Sequence, residues 1–338
     1  MLPNGSDLTE LDQLKRRSFI TLLGGVAAWP LAVRAQQVAK VARIGFLALG
    51  NASAWTERVE ALRSGLRDLG YVEGNNIVIE FRWAKSVDEL PELATDLVRT
   101  NVDVIFADSS IFVEPARQAT KTIPIVFAAH ADPVGLGHVA SLARPGGNIT
   151  GLSMVLTELA AKELEMLNEA LPQAKRIGVL WNPATPSHRL AVQAVAAAGE
   201  KLAVQLLMLP LVKAEDFDVA FATMSRERAN GFLEVPSVFT LPYRNLLAEL
   251  ALRHRFPSMF GRKDNVEAGG LMSYSADTID LHRRAAVYID KILRGVKPAD
   301  LPVEQASKYA LVINLKTAKA LSLEIPPMVL ARADEVIE

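Results

Sequence analysis

The feature that most limits how this chain can fold is a strand-and-helix order that occurs twice at a fixed spacing. Arg43-Ile44-Gly45-Phe46-Leu47 is echoed by Arg176-Ile177-Gly178-Val179-Leu180, and Ile123-Pro124-Ile125-Val126-Phe127 by Phe256-Pro257-Ser258-Met259-Phe260. Ile44 and Ile177 lie 133 residues apart, and so do Pro124 and Pro257. Between these matches, residues 103–107 correspond to 230–234 within a few residues of the same spacing. In the first copy, 41–49 is a β-rich run, 55–69 has helical spacing and stops at Gly70, and 76–83 alternates between apolar and polar. Helical spacing returns at 88–99 and 113–120, with short continuous apolar strands at 103–107 and 123–128. Such runs suit central strands of a parallel sheet covered on both faces. The expected fold is therefore α/β, with two similar doubly wound parallel-sheet lobes.

Turn signals place the crossings between lobes. Pro145-Gly146-Gly147-Asn148 precedes a strand at 149–154 and a helix at 156–170, which puts one crossing near 152–156. A second falls near 274–278, where a strand at 270–274 gives way to a long helix at 278–294, closed by Gly295 with Pro298 beyond. Late strands are expected at 301–304 and 311–314, and the tail 315–338 reads as two helical pieces split by Pro326-Pro327. The expected lobes are 41–155 with 277–297, and 156–276 with 298–338, joined by a multi-strand hinge.

Ahead of the repeat, Lys15-Arg16-Arg17-Ser18-Phe19-Ile20 leads into a soft apolar run from Thr21 to Ala32 and then Val33-Arg34-Ala35. Paired arginines before a Gly/Ala-rich segment fit a twin-arginine export signal over 1–35, cleaved near Ala35. Gly24-Gly25 and Pro30 argue against a buried helix there, and the run is shorter than the roughly 20 residues that span a bilayer. Asp7, Glu10 and Asp12 precede the basic pair and point to a start codon downstream of Met1. Removal of 35 residues from 338 leaves 303, enough for two domains of about 150 residues each.

Composition narrows the chemistry. With 37 Lys and Arg against 38 Asp and Glu, the net charge is −1 and no block of one sign appears, so nucleic acid is not an expected partner. The absence of cysteine excludes disulfides, thiolate metal sites and a cysteine nucleophile. Gly135-Leu136-Gly137-His138-Val139-Ala140 matches a dinucleotide-binding pattern, but Ala129-His130-Ala131-Asp132-Pro133 separates it from its strand, where the fingerprint requires a direct turn. The five histidines show no paired helical spacing beside a carboxylate. His130 stands at the carboxyl end of an expected strand, and the other four read as surface residues or satisfied partners. No metal and no cofactor are expected.

In open α/β sheets ligands bind beyond the carboxyl ends of the strands. At those positions the chain carries Asn51, Ser53 and Trp55; Ser109 and Ser110; His130 and Asp132; Asn182; Ser237 and Phe239; and Ser273 and Tyr274. Hydroxyls, amides, one carboxylate and several rings converging from two lobes suit a small polar molecule with an apolar or aromatic part. The same residue types also serve turns and helix caps.

The chain further resembles the ABC-transporter substrate-binding protein family that includes the tryptophan/tyrosine-type periplasmic binding proteins, and within it a proteobacterial branch exported by a twin-arginine signal. The resemblance spans essentially the whole chain. It rests on Arg16-Arg17-Ser18-Phe19-Ile20, Gly65-Leu66-Arg67-Asp68-Leu69-Gly70-Tyr71, Asp132-Pro133-Val134, Arg144-Pro145-Gly146-Gly147-Asn148-Ile149-Thr150-Gly151, Gly269-Gly270-Leu271-Met272-Ser273-Tyr274 and Leu311-Val312-Ile313-Asn314-Leu315-Lys316-Thr317. It implies a type I periplasmic-binding-protein fold, a periplasmic location, closure of two lobes on a small-molecule ligand, and delivery to ABC permease membrane subunits, with the protein itself a monomer and no catalysis. Ser109-Ser110 stands where relatives often have Thr-Pro, and Pro236-Ser237 where they often have Asp-Asn or Asp-Pro. These departures leave the ligand open between amino acids and aromatic or organic acids. Two other readings remain: an exported hydrolase or racemase using His130 and Asp132 as base and acid, and a sensor module of the same fold that reports to a signalling partner.

Overall fold

The computed structural model describes residues 41–338, so the leader expected at 1–35 lies outside the described residues. Five strands, β1 (Ala42–Leu49), β2 (Ile77–Ala84), β3 (Val104–Ala107), β4 (Ile125–His130) and β5 (Ile149–Ser153), alternate with helices α1 (Thr56–Asp68), α2 (Leu90–Arg99) and α3 (Ser110–Ala119). Helix α4 (Leu156–Ala170) then leads into a second set. It comprises β6 (Arg176–Trp181), β7 (Gln205–Pro210), β8 (Gly231–Glu234), β9 (Ser258–Phe260) and β10 (Met272–Ala276), with α5 (His188–Leu202), α6 (Asp216–Arg226), α7 (Arg244–Arg253) and the short α8 (Lys263–Glu267) between them.

The two sheets repeat one topology. The first runs β11-β5-β4-β3-β1-β2, where β11 is Glu304–Gln305, and all its pairings are parallel. The second runs β13-β12-β10-β9-β8-β6-β7, where β12 is Tyr309–Asn314 and β13 is Glu335–Ile337, so β7-β6-β8-β9-β10 reproduces β2-β1-β3-β4-β5. Register follows the sequence repeat. Ile44 pairs with Val104 in the first sheet, and Ile177, its counterpart 133 residues on, pairs with Gly231 in the second. Strands β3 and β4 are buried along their whole length, which explains their unbroken apolar composition, while the edge strand β2 buries Ile77 and Ile79 and leaves the alternate positions partly exposed.

Each lobe has its own core. In the first, Phe46 packs against Phe106 and Trp55, and Trp55 packs against Phe112. The second divides between a cluster under α4 and α5 and another built on Phe217, Phe221, Phe232 and Phe260. Helix α9 (Thr278–Leu293) follows the second sheet yet buries Leu281, Ala285 and Ile289 in the first core. It lies so close to α1 that a Cβ on Gly65 would stand 2.3 Å from the Arg283 carbonyl oxygen.

The chain passes between sheets three times. Met154 and Val155 link β5 to α4, with Val155 at φ 48, and Asp277 links β10 to α9. The third passage joins β11 to β12 (Tyr309–Asn314) and differs from expectation. Residues 298–306 were assigned by sequence to the second lobe, but β11 pairs with β5, and Leu301, Val303 and Ala306 are buried in the first core. The reason is local: Thr150 donates to the Leu301 carbonyl at 2.7 Å and Val303 donates to the Leu142 carbonyl at 2.7 Å, a seam that a two-residue strand does not advertise. The passages are tied together, since Ala306 donates to Ser153 and Asp277 to Lys308 through their backbones. In the tail, α10 (Leu315–Ala320) and α11 (Pro327–Leu330) fall on either side of Pro326, and 335–337 forms β13 parallel to β12 where a helix was expected.

Candidate functional site

A cavity of about 660 Å³, counted out to its open side, lies where the carboxyl ends of the two sheets face each other. Its walls come from both lobes. The first lobe contributes Trp55, Arg58, Asp108, Ser109, Ser110 and Ile111, and the second contributes Thr185, Ser187, Pro236, Ser237, Val238, Leu241 and Arg262. Met154 and Leu156 flank the first hinge passage. Val238, a second-lobe residue, packs against the first core and so spans the cleft. The mixture of apolar walls with a few charged and hydroxyl groups is the usual composition of sites for small organic ligands.

Of the twelve sequence candidates, the structure brings Trp55, Ser109, Ser110 and Ser237 to this cavity. Trp55 is 1% exposed and its indole Nε1 donates to the Leu49 carbonyl at 2.9 Å, so it forms a fixed wall. Ser109 is the N-cap residue of α3, and its hydroxyl is buried without a partner. Asn51 caps the turn that holds Ser53 by accepting from the Ser53 and Ala54 backbone N–H groups, and Ser53 lines a chamber at the cleft rim instead.

The remaining candidates lie apart from the cavity. Asp132 accepts from the Gly135 N–H at 2.7 Å and closes a turn. His130 is fully enclosed in the first lobe, with its Nε2 2.7 Å from His138 Nδ1. His138 Nε2 donates to Glu114 at 2.9 Å, so His138 Nδ1 accepts and His130 Nε2 is the donor. Burial lowers the pKa of both imidazoles, and His138 adds to the shift of His130. Burial pushes Glu114 up, but hydrogen bonds from Arg117, Gln118 and His138 outweigh it and hold Glu114 at about 2. Asn182 caps its own loop through Ala184 N. Phe239 stacks on Phe217 at 5.8 Å, Tyr274 stacks on Tyr309 at 5.9 Å beside the hinge, and Ser273 is buried within β10.

The two guanidinium groups at the cavity, Arg58 and Arg262, were missed by sequence reading. Arg262 donates to the Ser237 carbonyl at 2.9 Å and to the Thr240 hydroxyl at 3.0 Å, and Thr240 donates to Glu234 Oε1 at 2.6 Å. Glu234 is fully buried at the end of β8, and burial raises its pKa despite Arg262 nearby. Asp108 faces His282, with 2.9 Å between Asp108 Oδ1 and His282 Nε2. The two atoms are close but too poorly aligned for a hydrogen bond, while His282 Nδ1 donates to the Thr278 carbonyl at 2.7 Å. His188 joins the two second-lobe loops: its Nδ1 accepts from the Asn182 N–H and its Nε2 donates to the Pro236 carbonyl, both at 3.0 Å. Burial holds its pKa down at about 4. A helical arginine or a lone histidine gives no sequence signal of this kind, because only the fold decides which face it turns toward.

With the fold and cavity in place, comparison with known proteins is informative. The sequence profile of proteins described as ABC transporter substrate binding protein matches residues 43–337. A tyrosine-binding protein of Clostridioides difficile is 28% identical over 264 residues, covering 77% of this chain and 74% of that protein. A crystal structure from Streptococcus pneumoniae in complex with L-Trp is 26% identical, covers 88% of this chain and 99% of its own, and superposes with a TM-score of 0.81. A conserved domain protein from Vibrio cholerae is 28% identical, covers 88% of this chain and 100% of its own, and superposes with a TM-score of 0.82.

Proposed function

The chain belongs to the ABC transporter substrate binding protein family, and from that premise we propose that it captures an acid-bearing organic solute, of amino-acid or aromatic or organic acid type, in the inter-lobe cavity and hands it to a membrane permease. The observation that carries this reading is a cavity walled by both lobes, with Arg58, Arg262 and Asp108 set among Trp55, Ile111, Met154, Val238 and Leu241. Guanidinium groups suit a carboxylate and the apolar walls suit a hydrocarbon or aromatic body. Trp55, Ser109, Ser110 and Ser237 are the sequence candidates that serve as ligand contacts here. The relatives that bind tyrosine and L-Trp support a ligand of this general class.

Binding is favoured over the hydrolase reading because its acid and base are not at the cavity. His130 is enclosed against His138, and Asp132 closes a turn. The periplasm is the proposed location, on the strength of the Arg16-Arg17 leader and the family's role, and the protein acts there as a monomer. A thermal-shift screen of the exported protein against amino acids, aromatic acids and short organic acids tests the reading. A true ligand at 100 times its dissociation constant adds about 2.7 kcal/mol to native-state stability. No shift with any solute would contradict it.

A further inference from the structure

Arg58 is the cation that the cleft leaves open. It stands in the first turn of α1 and borders the central cavity as well as the two chambers that adjoin it. Among the described residues its guanidinium makes no hydrogen bond and no ion pair, and it lies over the Trp55 ring, 5.8 Å away at the centroid. Arg262, the other guanidinium of the central cavity, is by contrast bonded to Ser237 and Thr240 and lies 3.5 Å from Asp264. Burial lowers the Arg58 pKa, and the like charge of Arg262 lowers it further, while Asp108, Asp264 and Glu57 offset part of this from a distance. Its donors face these chambers without an acceptor from the protein, and a planar fork of this kind matches the two oxygens of a carboxylate.

Asp108 is the one carboxylate among the described residues that line the central cavity, and it already faces His282. We propose that Arg58 is the acid-group anchor of the cleft, and that the ligand is a carboxylate with an apolar or aromatic body whose recognition requires no ammonium group. The carboxylate takes the open face of the Arg58 fork, and the body lies against Trp55, Ile111 and Met154 from one side and Val238 and Leu241 from the other. The proposal rests on the solute-binding reading given above.

The test uses matched probes on three skeletons: 4-hydroxyphenyl, indole and isobutyl, each as the α-amino acid, as the deaminated carboxylate and as the decarboxylated amine. Thermal shift followed by calorimetry is run on the exported wild type, Arg58→Gln and Arg58→Lys, with sugars as uncharged controls. The deaminated acid of at least one skeleton should bind as tightly as its amino acid, and the amines should not bind. Arg58→Gln should weaken that acid by roughly ten- to a hundredfold, and Arg58→Lys by less. The ligand-free melting temperature of Arg58→Gln should be unchanged or higher, since an unpartnered cation has been removed; a merely structural residue would lower it. Three results would each overturn the proposal while leaving solute binding in place: an amine that binds tighter than its acid, an amino acid that needs its ammonium for more than about threefold in affinity, or stabilisation by sugars alone. If Arg58→Gln does not fold, the wild-type comparison of acid, amino acid and amine decides. Stabilisation by no solute class would remove the solute-binding reading, and this proposal with it.

Discussion

Glu163→Met should stabilise the protein at neutral pH, and by an amount that grows with pH. Glu163 sits on the inward face of α4 among Leu159, Ala160, Leu164 and Leu167, is 0% exposed, and has no hydrogen-bond partner at either carboxyl oxygen. Burial raises its pKa well above the ordinary 4.5, and the neighbouring carboxyl of Glu234 raises it further. A carboxyl raised in this way keeps its proton in the folded state and releases it on unfolding, so its contribution to stability is fully present below pH 4.5 and declines above that value. The loss is up to about 1.4 kcal/mol per pH unit. For a group still protonated at pH 7 the accumulated cost relative to pH 4.5 is at most about 3 kcal/mol. Methionine fills a similar unbranched volume without polar atoms, which removes the cost with little cavity. Urea unfolding of wild type and variant at half-unit steps from pH 4.5 to 7.5 measures the difference directly. It should be small at the acid end and rise steadily in favour of methionine. A difference that is flat with pH, or a variant less stable at pH 7, would mean that Glu163 is solvated or ionised in the fold and would refute the reasoning.

Two other outcomes follow from the same network of buried groups. His188, held at about 4 by burial, should contribute stability above pH 6.5 that is lost as pH falls toward 4, because protonation of Nδ1 sets a donor against the Asn182 N–H; His188→Gln should flatten that acid limb of the stability profile by at most about 3 kcal/mol. Asp132→Ala should cost about 1 kcal/mol in urea unfolding through loss of the acceptor for Gly135 N–H, and should leave ligand affinity by calorimetry within about twofold.

The fold was legible because its signals are repeated and physical. Continuous apolar runs at β3 and β4, the 133-residue spacing of Ile44 and Ile177, and the Gly295 stop of α9 each express a constraint of a doubly wound sheet or a helix end. The short pairing of Glu304 and Gln305 with β5 was not legible, since two exposed residues joined by backbone hydrogen bonds carry almost no pattern. At the cavity, the rule that ligands bind beyond strand ends found Ser109, Ser110, Ser237 and Trp55, but it could not separate them from Asp132 and Asn182, whose side chains serve their own turns. Arg58, Glu163 and His188 were hidden for a different reason. Each lies on a helix where a polar residue ordinarily faces water, and only the packing of the second lobe against the first, or of α4 and α5 on their sheet, encloses it.

A solute bound between the lobes should draw them together about the three hinge passages. Small-angle scattering on the exported protein, with and without a saturating carboxylate identified by the screen, tests it most directly. The radius of gyration should fall on binding, as rotation about Met154-Val155, Asp277 and the segment between β11 and β12 brings the Ser109 and Ser237 walls closer. An unchanged radius of gyration, with occupancy confirmed by calorimetry on the same sample, would contradict closure and leave a rigid pocket in its place.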